Sequence, residues 1–165
     1  MDARALFGIS VVLSFTAWGV VTARYLWPKL RISPQQDALR SLLTLHAFRF
    51  VGLAFLIPGV VGSDLPAAFA RPAAYGDLVA TILALLALVT LATSWGPAIV
   101  WLFNVWGTAD LLYAFYQGLF GARLSPGSFG AGFFIPTLLV PLLLITHGLM
   151  FRLLLQSSLF QPRRG

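Results

Sequence analysis

The sequence predicts an all-α integral membrane protein, a bundle of five transmembrane helices with a short interfacial segment between the second and the third. Two observations carry this. The 165 residues are 59% hydrophobic and 10% charged, whereas a soluble domain carries about 25% charged residues. The apolar residues also fall into several runs, each close to the roughly 20 residues that a bilayer crossing needs. With a mean hydropathy of +0.88 the chain lacks the polar surface to cover a water-soluble core, and lipid removes that requirement.

The whole chain, residues 1–165, reads as a single transmembrane domain. The first helix is expected from about Ala5 to Leu26, stopped at Trp27-Pro28, with Tyr25 and Trp27 as interfacial anchors. Val21-Thr22-Ala23 has the spacing of a signal-peptide cleavage site, but Met1-Asp2-Ala3-Arg4 is barely basic and the apolar run is long, so a retained helix is expected. After a polar linker the second helix runs from about Ala38 to Val61, its last turn loosened by Pro58-Gly59. The segment Ser63 to Asp77, broken by prolines, is too short to cross and is expected to lie at the interface. The third helix follows from about Leu78 to Ser94. Because Leu78 to Phe120 is twice one crossing, Trp95-Gly96-Pro97 must turn the chain, giving a fourth helix from about Ala98 to Phe120. Gly121 to Gly132 reads as a glycine-rich loop, and the fifth helix covers about Phe133 to Leu155. Ser10, Ser14 and Ala17 line one side of the first helix, and Ala80, Ala84 and Ala87 one side of the third, where small residues let helices approach closely. Pro136 and Pro141 should bend the fifth helix, freeing carbonyls for neighbouring side chains to satisfy.

The net charge of +6 could point to nucleic acid, but the basic residues sit between and beside apolar runs, with no basic helix face or aromatic-interleaved patch. That is the positive-inside pattern. Arg24, Lys29, Arg31, Arg40, Arg152, Arg163 and Arg164 fall on one side of a five-helix topology, against Arg4, Arg71 and Arg123 on the other. The expected orientation therefore puts the N-terminus outside and the C-terminus in the cytoplasm. Basic residues that are Arg in every case but Lys29, with no Glu and much Ala, fit a GC-rich bacterial genome and hence the bacterial cytoplasmic (inner) membrane. The absence of cysteine excludes disulfides, thiolate catalysis and thiolate metal sites.

An ionisable group near the bilayer centre costs roughly 2.5–3.5 kcal/mol on insertion scales, so each needs a partner or a role. His46, Arg49, Asp110 and His147 are the candidates, joined by Asn104 in an expected intramembrane polar cluster. From the rise of ~1.5 Å per residue, Arg49 and Asp110 lie about 16 and 20 Å from the cytoplasmic side, within one turn of each other. They are expected to form an ion pair facing the bundle interior. His46 and His147 share a depth of roughly 12 Å, which is the arrangement of two axial ligands on opposite faces of a b-type haem. Three residues apart, His46 and Arg49 share a helix face. The fourth helix, with Asn104, Asp110 and Gln117 spread along it, should be interior on one side. Trp95, Trp101 and Tyr116 read as interfacial belt residues, and Trp106 as a packing residue or the wall of a site for a flat ligand such as a quinone or porphyrin.

No catalytic motif is present: no His-Glu-x-x-His, no phosphate loop, no Gly-x-Ser-x-Gly, and no second intramembrane carboxylate beside Asp110. The leading expectation is a non-catalytic accessory or scaffold protein in the lipid bilayer, its partner another membrane subunit or a second copy of itself, with no nucleic acid. The alternatives are a haem- or quinone-binding electron-transfer protein using His46 and His147, its only metal being haem iron; a proton-coupled small-solute carrier with Asp110 and His46 moving protons; and a membrane enzyme with His46 as base. A carrier built on inverted repeats would show related halves, and no repeated motif is seen.

Overall fold

The computed structural model describes residues 2–118 and 124–157, which are helical throughout apart from short turns, with no β-strand among them. Five helices are long and apolar enough to cross a membrane: α1 (Ala3–Leu30), α2 (Gln35–Leu56), α3 (Ala67–Thr90), α4 (Gly96–Tyr116) and α5 (Ile135–Gln156). In packing order α2 lies on α3, α3 on α4, α4 on α5, and α5 returns to α2, while α1 leans mainly on the outside of α5. The most apolar stretch of α1 is only 6% buried, so nearly all of its apolar surface faces outward. Arg123, Arg163 and Arg164 of the charge count, and the expected end of the fourth helix at residues 119–120, lie outside the described residues.

Pro28 does not end the first helix. The chain widens into a π-turn over Thr22–Leu26, with the Trp27 N–H reaching back to the Thr22 carbonyl, and then continues helically over Trp27–Leu30. In a regular helix the proline ring would collide with the carbonyl four residues back, and the wider turn relieves that. Ahead of Pro141 the same device recurs as a π-turn over Ile135–Leu139, with the Val140 N–H on the Ile135 carbonyl. Here α1 adds two donors: Trp18 Nε1 and Ser14 Oγ donate to the Leu138 carbonyl at 3.1 and 3.5 Å. These two bonds seat α1 on α5.

The second helix changes winding midway, from α over Gln35–His46 to a 3₁₀ helix over Ala47–Leu56. A 3₁₀ helix has three residues per turn and rises ~2.0 Å per residue, so ten residues cover roughly 20 Å and the helix closes at Leu56, short of the expected Val61. The tighter period also aligns side chains. Arg49, Gly52 and Phe55, each three apart, are all buried, whereas α-winding would carry Phe55 about 120° round the axis from Arg49.

The interfacial segment expected between the second and third helices is not there. Residues 67–77 are the opening turns of α3, which starts behind Pro66 and runs through Pro72, eleven residues earlier than the sequence indicated. The short connection from α2 to α3 is instead pinned to the 3₁₀ segment Pro126–Phe133 that precedes α5. Gly62 N–H donates to the Ser128 carbonyl at 2.9 Å and Ala131 N–H to the Val60 carbonyl at 2.8 Å, and Ser128 Oγ donates to Asp64 Oδ2 at 2.5 Å.

The interior is layered. One apolar cluster, including Leu39, Leu43, Ala84, Phe103 and Met150, fills the end of the bundle where α2 begins. A second, built on Phe55, Phe69, Ala73, Phe129 and Ile135, fills the opposite end. Between them lies a polar layer.

Candidate functional site

Arg49 is the centre of that layer. Its side chain is fully enclosed, and all three of its nitrogens are engaged. Nε donates to Asp77 Oδ1 on α3 at 2.7 Å, and Nη2 to Asp110 Oδ2 on α4 at 2.7 Å. Nη1 donates to the Gly107 carbonyl at 3.2 Å and lies 3.3 Å from His147 Nε2 on α5. One guanidinium therefore ties α2 to the other three helices of the ring, with the fork geometry that lets Arg hold two carboxylates at once.

The surrounding bonds fix the tautomers. Arg can only donate, so His147 Nε2 accepts, and the ring proton sits on Nδ1, which donates to Asn104 Oδ1 at 2.7 Å. The Asn104 amide closes the loop by donating to the His147 carbonyl at 3.4 Å. Thr146 directs its hydroxyl proton at the carbonyls of Leu142 or Leu143, so its oxygen receives the His46 Nε2 proton at 3.0 Å. That leaves His46 Nδ1 a bare acceptor, buried and without a hydrogen-bond partner.

Glycines make room for this layer. A Cβ on Gly107 would stand 2.6 Å from the His147 ring and 2.7 Å from Arg49 Nη1. One on Gly76 would overlap the Asp110 carboxylate, and one on Gly52 the Asp77 carboxylate. Each polar side chain thus lies against bare backbone of the neighbouring helix, where any larger residue would displace it.

The expected pairing of Arg49 with Asp110 is present, and Asn104, His46 and His147 all join the same layer. Two expectations change. The His46 and His147 rings touch, with centroids 4.2 Å apart and planes tilted by 46°, so no porphyrin can pass between them and ligation of one haem iron on opposite faces does not fit this arrangement. Among the described residues no group of three or more His, Cys, Asp or Glu is placed to hold a metal ion. Trp106 does not wall an interior site: it is 43% exposed on the outer face of α4. Gln117 also lies outside the layer and donates to the Tyr113 hydroxyl at 2.7 Å.

The model of a family described as Domain of unknown function (DUF8737) matches residues 6–155. The chain belongs to the DUF8737 family. No curated protein and no solved structure matches it. All of the polar-layer residues of this DUF8737 chain fall within the matched span.

Sequence reasoning missed Asp77 in this DUF8737 protein, and with it the second carboxylate of the layer. The signal was present. Ala80, Ala84 and Ala87 extend backwards through Asp77, Ala73 and Ala70 with an unbroken alternation of three- and four-residue steps, and all six are buried. Reading that stripe through Pro72 puts Asp77 on the inward face of a long helix. The prolines of 63–77 outweighed it.

Proposed function

We propose that the chain is a multi-pass protein of the bacterial cytoplasmic membrane that works as a non-catalytic accessory or scaffold subunit, with its N-terminus outside and its C-terminus in the cytoplasm. The observation that carries this is the use made of Arg49: each of its nitrogens is spent on a partner within the chain. His147, Asn104 and Thr146 are likewise spent on holding helices in register. A layer whose hydrogen bonds run between its own helices in this way serves helix specificity. The outward apolar faces, above all that of α1 with Ile9, Val12, Leu13 and Val20 exposed, are available to lipid or to another membrane subunit. The basic residues Arg24, Lys29, Arg31, Arg40 and Arg152 support the orientation. On this reading, digitonin-solubilised native membranes contain the chain in an assembly larger than its own 17.9 kDa, and Arg49→Leu releases it. Migration of the wild-type chain as a solitary monomer contradicts the proposal.

One observation favours a second reading, a proton-coupled small-solute carrier. The layer sets two carboxylates against a single guanidinium, and an excess acid inside a bundle is how intramembrane proton relays are built. This reading predicts proton entry into proteoliposomes driven by a pH gradient, abolished by Asp110→Asn. No flux above that of empty vesicles rejects it.

A further inference from the structure

A cleft runs from the end of the bundle where α1 begins down to the polar layer. Its walls are almost wholly apolar and aromatic. Phe55, Phe69, Phe115 and Phe129 line it, with Asp77 and Asp110 among the lining residues. Three of these rings form a mutually packed group: Phe69 meets Phe55 and Phe129 edge-on, each at 5.7 Å, and Phe55 lies 6.1 Å from Phe129. Such a wall suits an apolar body.

The floor, in contrast, is charged. Arg49 takes one oxygen of each carboxylate, and among the described residues the second oxygen of each receives no hydrogen bond. The side chains of Asp77 and Asp110 keep 10% and 12% of their surface exposed, whereas that of Arg49 keeps none. The cleft therefore meets the carboxylates and not the guanidinium that holds them. One guanidinium against two carboxylates leaves the floor one positive charge short.

We propose that this cleft binds a lipophilic monoamine as its ammonium ion, with the N–H groups donating to the free carboxylate oxygens of Asp77 and Asp110 and the apolar body lying among the phenylalanines. The charge selects a cation, the two open acceptors select one that carries N–H donors, and the aromatic walls select an apolar body. A zwitterion or an anion would bring a negative group into the same apolar walls. The site stands whether the chain acts as a scaffold or as a carrier.

The test uses the full chain in phosphatidylcholine nanodiscs, with radiolabelled 2-phenylethylamine as probe and ethylbenzene as its neutral isostere. Saturable binding of the amine, at least tenfold tighter than that of ethylbenzene, is expected, with a comparable loss when the nitrogen is trimethylated. Ala114→Phe, which fills the cleft from its α4 wall, should abolish binding. Asp110→Asn should weaken it at least tenfold in protein that remains helical and monodisperse. Equal binding of amine and hydrocarbon, no saturable binding, or full binding in the Ala114→Phe variant overturns the proposal. So does loss of the probe when phosphatidylethanolamine is added to the nanodiscs, which would make a lipid ammonium headgroup the occupant.

Discussion

Arg49→Leu is expected to lower the unfolding free energy of the chain in detergent by about 3–5 kcal/mol, the usual cost of leaving a buried charge without its partner. The upper part of that range applies, because one substitution orphans two carboxylates, Asp77 and Asp110, and also removes the donor to the Gly107 carbonyl. Desolvation sets the magnitude. In water each carboxylate would recover its hydrogen bonds from solvent, but here Asp77 is 7% exposed and the walls of the cleft beside it are aromatic. Lysine in place of Arg49 should restore only part of the loss, since a single ammonium cannot present the planar fork that reaches α3 and α4 together. Chemical unfolding followed by circular dichroism checks both variants, and an Arg49→Leu loss below about 1 kcal/mol, the scale of an exposed ion pair, would mean that the layer carries little of the stability.

Gly107→Val carries the second large effect. The added Cβ would fall 2.6 Å from the His147 ring and 2.7 Å from Arg49 Nη1, so the ring, the guanidinium or helix α4 has to move. Overpacking of a tight core costs typically about 1–3 kcal/mol, and any shift of the guanidinium adds part of the cost of breaking its ion pairs. Gly148→Val is the control, since a Cβ there meets nothing within 4 Å. Thermal unfolding should separate the two by at least the overpacking cost, with Gly148→Val within about 0.5 kcal/mol of wild type. Equal stability of the two variants would contradict the close approach of α4 to the layer.

Composition and apolar run length alone were enough to read five helices long and apolar enough to span a membrane, because lipid exposure demands long uninterrupted apolar stretches and tolerates few charges. Arg49, Asp110, Asn104, His46 and His147 could be picked out for the same reason, as polar groups at mid-depth stand out against an apolar background. What misled was proline. At Pro28 and Pro72 a soluble-helix rule predicts a break, but α1 continues past Pro28 behind a π-turn and α3 runs through Pro72. Asp77 was lost to that rule. The switch of α2 to 3₁₀ winding was also invisible, because its sign is a three-residue file of Arg49, Gly52 and Phe55 that is too short to separate from α-periodicity. The depth estimates put the two histidines level with each other. They could not say that the rings touch, since depth fixes one coordinate and leaves the lateral two open.

The central claim is that Arg49, Asp77 and Asp110 act as one ionic unit across α2, α3 and α4. Its most direct test is the set of unfolding free energies for Arg49→Leu, for Arg49→Leu with Asp110→Leu, and for the triple variant that adds Asp77→Leu. Each added leucine should restore stability, the triple variant returning most of the loss, because an apolar replacement of a whole buried ionic group is often neutral. Losses that simply add from single to triple variant would contradict the claim.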